Sequence, residues 1–207
     1  ELKKIKLVLN PFQLKLNIKI IGTNLKIQNK TIELENIKSQ ISLKALFEKK
    51  FTFENLEIST KSLEIRNLIS FLRLFQNIPE LFILEKAVKK GYLIADIKIN
   101  FDENGEIENN YEINGFIQDT ELDILKKYNI QKINFNFRYK KDDLKINDML
   151  FSLNKLDFKS DELLIKKKKR DFLFSGNIDH KRLNLSKKNI DLFIKPFLPE
   201  IEIENII

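Results

Sequence analysis

His180 is the only histidine in a chain of 207 residues. It stands between Asp179 and Lys181, with Arg182 following. An imidazole beside a carboxylate is the minimum equipment for general acid–base chemistry, which also requires a reacting group within hydrogen-bond reach. The neighbours of His180 are those of a polar strand end or turn, and a solvated side chain accounts for it. The acidic pairs Asp142–Asp143 and Asp161–Glu162 also fall in turn-like stretches, where solvation explains them. The chain has no cysteine, so thiol chemistry, disulfides and Cys/His zinc sets are excluded. Asp102-Glu103-Asn104-Gly105 is too short for a calcium loop and reads as a hairpin turn. No glycine-rich phosphate loop and no Gly-x-Ser-x-Gly elbow is present. The sequence therefore predicts no catalysis, no cofactor and no metal.

The other chemistry on offer is charge. The chain carries a formal +7, but only five of its 37 basic residues are arginine: Arg66, Arg73, Arg138, Arg170 and Arg182. Readers of nucleic acid favour the planar guanidinium fork, and they interleave aromatics with cations on one exposed face. Here lysines alternate with acids along the strands, and the aromatics hold the opposite parity, so no nucleic-acid partner is expected. The one dense run, Lys166 to Arg170, lies between two apolar stretches. It reads as a hairpin tip kept soluble by charge, with attraction to anionic headgroups as the functional alternative.

What must position these residues is a set of strands. Apolar side chains recur at period two: Ile5-Leu7-Leu9, Leu14-Leu16-Ile18-Ile20, Phe51-Phe53, Leu93-Ala95-Ile97-Ile99-Phe101, Ile133-Phe135-Phe137-Tyr139 and Phe172-Phe174. That spacing puts one set on one face of a sheet and the lysines, glutamates and asparagines on the other. Turn signals at Asn29-Lys30, Asp102 to Gly105 and Lys140 to Asp143 join strand to strand. The expected fold is mainly β with minor α, a long antiparallel meander curled into a groove-like sheet. One helical pair interrupts it at about residues 67–90, as two short helices or one kinked at Pro79. Asn67 is the expected first cap, Asn77 with Pro79 and Glu80 the restart, and Lys86, Lys89, Lys90 and Gly91 the close. Leu81 to Leu84 is apolar all round, which predicts burial on more than one side. A further helix is expected over 186–195, stopped by Pro196, and a short turn near Lys126 to Asn129. No segment is apolar enough to cross a membrane as a helix.

Two stretches repeat a pattern. YEINGFIQDTELDI from Tyr111 and FLFSGNIDHKRLNL from Phe172 align Gly115 with Gly176, Ile113 with Phe174 and Leu122 with Leu183. This predicts a strand rather than a helix at Thr120 to Asp123. It also divides a single elongated unit into repeats of about 91–151 and 152–207. Glycine within a strand marks a bulge, bend or close approach, so the sheet is expected to bend at both positions and curl into a trough. An apolar trough holds an acyl chain without any acid, base or nucleophile. Its expected lining is Leu93, Ile97, Ile99, Tyr111, Ile113 and Ile117, with Phe135, Phe137, Phe172 and Phe174. The alternative is a closed sandwich core in which these residues touch only each other.

LVLNPFQLKLNIKIIGTNLKI, KTIELENIKSQISLKALF, FTFENLEISTKSLEI, the GYLIADIKINF hairpin and the two glycine-bearing strands together resemble the AsmA-like family of bacterial envelope proteins. That family is related in style to TamB and other repeating β-groove lipid-transfer proteins. The resemblance implies a phospholipid or other acyl-chain lipid as partner, carried in a hydrophobic groove, in outer-membrane biogenesis or envelope lipid homeostasis. It implies a periplasmic location, with the parent protein anchored in the inner membrane by an N-terminal helix. The chain opens on Glu1 rather than methionine, which predicts a fragment lacking that anchor, pairing with further groove repeats of the same chain. The alternative is a non-catalytic β-scaffold or interaction module of a larger envelope protein.

Overall fold

The structure is a computed structural model that describes residues 2–44, 53–75, 78–102, 104–108, 111–124, 128–154, 156–168 and 171–180. The expected helix at 186–195, the cap Asn77 and the second half of the repeat beyond His180 lie outside the described residues.

The chain runs as β1 (Leu2–Asn10), β2 (Lys15–Ile27), β3 (Lys30–Ser42), β4 (Phe53–Thr60) and β5 (Leu63–Glu64) into α1 (Ile65–Leu72) and α2 (Pro79–Ala87). It continues as β6 (Val88–Asn100), β7 (Glu112–Ile124), β8 (Tyr128–Lys140), β9 (Asp143–Leu153), β10 (Leu156–Lys168), β11 (Asp171–Gly176) and β12 (Asp179–His180). All of these strands belong to one antiparallel sheet, in the order β1-β2-β3-β4-β6-β7-β8-β9-β10-β11. The short β5 pairs with β6 and β12 with β10. Mainly β with minor α is thus the architecture. The expected curl is corrected, however: the sheet is open and uncurled.

The turn signals fall where the sequence puts them. Gln28 takes φ 53° between β2 and β3, and Lys141 and Asp142 take φ 50° and 65° between β8 and β9. The mirror-image twist of such turns matches that of the flanking strands. Beyond β6, Asp102 Oδ1 accepts from the amides of Asn104 and Glu106 at 2.8 and 2.9 Å. Gly105 supplies the positive φ of 82°. Thr120 to Asp123 is strand, as the repeat implies, and Tyr128 and Asn129 belong to β8 rather than to a turn.

The helices depart from expectation in three ways. Glu64, not Asn67, stands at the first cap; Asn67 lies within α1 and donates its side-chain amide to Glu64 Oε2 at 2.8 Å. Gly91 does not close α2. The chain leaves the helix at Val88 and enters β6 directly, with Gly91 inside the strand. Finally, α2 buries none of its residues fully, and Phe82, Ile83 and Leu84 are exposed. The periodic pattern around Leu81 to Leu84 shows that the helix is apolar, but it has no term for whether a partner lies within reach. The α1 helix does pack: Phe71 joins Ile32, Leu34 and Leu63 in a cluster, with Ile27, Ile37, Ile58 and Leu68 against it.

The expected bends at Gly115 and Gly176 are also relocated. Gly115 pairs with Ala95 and Phe137 without a register shift, and Gly176 ends its strand. The irregularities lie one level away and cross the sheet. Register shifts occur around Glu35 in β3, Lys89 in β6, Asp119 in β7 and Lys132 in β8. A further shift lies between Asn134 and Asn136 of β8, where β9 carries the extra residue Asp148. Asp119, Lys132 and Asp148 have φ of 48°, 53° and 53°, and Gly22 at the same level of β2 has 66°. Each is a bulge or kink that admits one residue outside the alternation. They form a belt across the sheet, and below it the ladder is regular apart from one shift between Gln40 and Ile41 of β3, opposite β4.

Candidate apolar face

Register decides which side chains share a face, because directly paired residues in an antiparallel sheet point the same way. Below the belt, Ile99, Ile97, Ala95 and Leu93 of β6 form the reference row. Ile97 pairs with Ile58 of β4 and Ile113 of β7, and Leu93 pairs with Ile117. Ile117 and Ile113 pair in turn with Phe135 and Tyr139 of β8. Phe137 and Tyr139 then meet Ile146 and Leu144 of β9, and these meet Leu163 and Ile165 of β10. Ile165 meets Phe174, and Lys167 meets Phe172. On the other side, Ile58 continues through Ile37 and Ile20 to Ile5.

Leu93, Ile97, Ile99, Ile113, Ile117, Phe135, Phe137, Phe172 and Phe174 therefore lie on one face, spread over four strands. Tyr111 joins them at the lower rim, its ring 5.9 Å from that of Tyr139. The hydroxyl of Tyr111 and then burial hold the Tyr139 phenol well above its ordinary range, and its hydroxyl donates to Asp142 at 3.2 Å. Most of these residues are half-buried by their neighbours, while Phe172 and Phe174 near the β11 edge are exposed. The face reaches beyond the expected lining to Leu16 and Ile18 of β2, Leu144 and Ile146 of β9, and Leu163 and Ile165 of β10. The same alternation marks these residues in the sequence.

Above the belt the parity inverts in β2, β3 and β6 to β10 and the face stays apolar, whereas β4 keeps its parity, with Thr60 opposite Leu34. Ile113 and Ile117 of β7 give way to Thr120 and Leu122. In β9, Leu144 and Ile146 give way to Met149 and Phe151. In β10, Leu163 and Ile165 give way to Ser160 and Phe158, whose ring stacks on Phe151 at 5.2 Å. The bulged residue in each strand makes the change possible, since one extra residue turns all that follow to the other side. The α1 helix covers part of this upper level through Leu34 and Ile32.

The opposite face carries the charge. Below the belt, Lys38 pairs with Glu57 at 3.6 Å, Lys145 with Glu162 at 2.5 Å and Lys166 with Asp143 at 3.4 Å. Glu112 receives Arg138 through two nitrogens, at 2.9 and 3.1 Å, and Lys140 at 3.3 Å. The side-chain amide of Asn114 donates at 2.9 Å. The Asn114 and Arg138 hydrogen bonds hold the Glu112 carboxyl down to about 2. Its folded value lies below the unfolded one of about 4.3, so its contribution is complete above that pH. The contribution is lost as the pH falls toward about 2. Glu112→Gln is expected to cost about 1 kcal/mol or less at neutral pH, since the cluster is partly solvated. Thermal melts of the two proteins across pH should converge in strong acid.

The residues weighed for catalysis do not assemble. His180 Nδ1 rests on the backbone carbonyl of Asp157, and its ring packs on Phe158 at 5.1 Å. Ser152 donates to the Asp157 carboxylate and not to the imidazole. Among the described residues, no group of three or more His, Cys, Asp or Glu side chains could hold a metal ion.

No protein-family model, no curated protein and no solved structure matches the chain. What the apolar face can do is therefore argued from its own geometry. All described strands belong to one sheet, so among the described residues no second sheet lies over this face. The described helices meet β3, β5, β6 and β7.

Proposed function

We propose that the chain is a lipid-binding, lipid-transferring segment that holds acyl chains along the apolar face of its sheet. The observation behind this reading is the one-sided apolar ladder, continuous by register across ten strands and faced by no second sheet among the described residues. A contiguous apolar surface of this extent is unstable against water unless something covers it. An acyl chain gains about 0.8 kcal/mol for each CH₂ it buries and needs no directed polar contact. The resemblance to AsmA-like envelope proteins points the same way. With it go a periplasmic location, an inner-membrane anchor in the parent protein, and further repeats of the same sheet.

The test is extraction of gently purified protein with organic solvent, followed by mass spectrometry. Phospholipid in near-stoichiometric amount is the expected result. A lipid-free protein whose melting temperature does not respond to added phospholipid would sink the proposal.

A second reading, a β-scaffold that joins other strands edge to edge, draws on a different observation. In the described sheet β1 and β11 are terminal, and a terminal strand offers its outer amides and carbonyls to another chain. A lipid-free protein that self-associates through β1 would favour it.

A further inference from the structure

We infer that the β1 edge of the sheet takes up, as an added strand, the acidic segment Glu200-Ile201-Glu202-Ile203-Glu204 of a second copy of the chain. The inference rests on the edge-joining reading above and names what joins; it holds whether or not the apolar face carries lipid. Its basis is a row of charge across the wet face. From β3 to β10 the sign alternates strand by strand: Lys38 stands opposite Glu57, Glu57 opposite Lys98 and Lys98 opposite Glu112. Glu112 stands opposite Lys140, and Asp143 has Lys140 on one side and Lys166 on the other. Ion pairs at 3.6, 3.3 and 3.4 Å join Lys38 to Glu57, Lys140 to Glu112 and Lys166 to Asp143. At the β1 end the alternation breaks. There Lys38 stands opposite Lys19, and Lys19 opposite Lys6, with Lys4 two residues along β1. Like charges directly opposite each other are destabilising. Among the described residues no carboxylate pairs with Lys4, Lys6 or Lys19.

A carboxylate beyond β1 would close this run of cations from the outside, as Glu57 closes it from β4. Among the described strands β1 is terminal, so its outer amides and carbonyls can receive a further strand. Its lysines repel a second β1 and select for an acidic partner. The β11 edge of another copy does not supply one, since its single acid, Asp171, already stands opposite Lys168. The pattern required is carboxylates on one side and apolar groups on the other, and Glu200 to Glu204 has it. Laid antiparallel with Glu202 opposite Lys6, the segment sets Glu204 opposite Lys4. Ile203 and Ile201 then fall opposite Ile5 and Leu7, which are exposed on the apolar face. The donor is another copy because β1 and β11 bound a sheet ten strands across, about 43 Å at ordinary strand spacing. The chain passes His180 on the β11 side, and a neighbouring sheet set edge to edge removes the crossing.

The experiment is sedimentation velocity of the whole chain over a range of concentrations, native and with charges reversed. The native chain is expected to gain mass with concentration and to lose association as salt rises. Lys4→Glu with Lys6→Glu, and separately Glu202→Lys with Glu204→Lys, should each weaken self-association at least about tenfold, because like charges then face each other across the junction. Mixing the two double variants should restore association, since each edge again meets a segment of opposite sign. Lys4 and Lys6 are exposed, and circular dichroism shows that each variant is folded. A native chain that stays monomeric would overturn the proposal, as would a mixture no more associated than its two parts. Association undiminished in both variants would overturn it too, while leaving edge joining itself standing. Solvent extraction reads the sheet face separately: lipid bound to a chain that stays monomeric would keep the lipid reading and remove this one.

Discussion

Gly91→Ala is expected to lower the free energy of unfolding by about 3 kcal/mol. Two costs coincide there. Gly91 has φ 141°, a conformation that side-chain-bearing residues rarely adopt, and an added Cβ would stand 2.2 Å from Thr120 Oγ1 and 2.9 Å from Thr120 Cα. Thr120 is itself buried and lies beside the register shifts that join β6 to β7, so its backbone has no free direction in which to retreat. Gly115→Ala makes the comparison. Its φ is ordinary, and two of the three nearest atoms to the new Cβ belong to the Phe137 ring, at 2.6 Å. A ring can turn, although the Ile94 carbonyl at 2.8 Å keeps the substitution from being neutral. Urea denaturation of the two variants should rank Gly91→Ala as the more damaging. The reverse order would mean that the belt relaxes more easily than its packing implies.

Phe135→Asp is expected to reduce lipid co-purifying with the protein by about thirty-fold, through lost apolar contact and a carboxylate placed where acyl chains would lie. Phe135 is half-buried and pairs with Ile117, with the Phe137 ring 6.2 Å away. It therefore stands near the middle of the apolar ladder. Asn136→Lys is the control. It changes charge one residue along the same strand but on the wet face, within reach of Asp148, and should leave bound lipid unchanged. Mass spectrometry of solvent extracts reads both variants, with circular dichroism to show that each is folded. Equal loss in the two would mean that the lipid does not distinguish the faces, and the sheet-face proposal would fall.

Much of this was legible in the sequence because period two is a local signal. Spacing alone puts Ile97 with Ile99, Ile113 with Ile117 and Phe135 with Phe137 on one side of each strand, while the register between strands is what joins the three sides into one face; the turns at Gln28 and Lys141-Asp142 follow from short polar links between strands. What was not legible depends on neighbours distant in sequence. Gly115 reads as a bend, yet it is a flat place where the Phe137 ring of the next strand lies close to the backbone. Leu81 to Leu84 reads as buried because it is apolar, whereas burial of α2 depends on what the fold brings to it. The belt left a trace that could have been followed. In β2 the apolar set passes from Ile18 and Ile20 to Leu25 and Ile27, and in β7 from Ile113 and Ile117 to Leu122 and Ile124. A change of parity within one strand requires an odd residue between the two runs. The bulges at Asp119 and Lys132 resist prediction by residue type, since neither is the glycine that a positive φ favours.

The belt also sets a grammar for change in length. A strand that gains or loses one residue within its regular half exchanges its apolar and charged sides from that point on, so viable insertions and deletions there must come in pairs. At the belt the rule binds as tightly, because each bulged residue is the odd one that keeps both halves of its strand on the same face, and its loss would turn one half over. Descendants of this sheet could change length one residue at a time only at the strand ends, where nothing follows to be inverted.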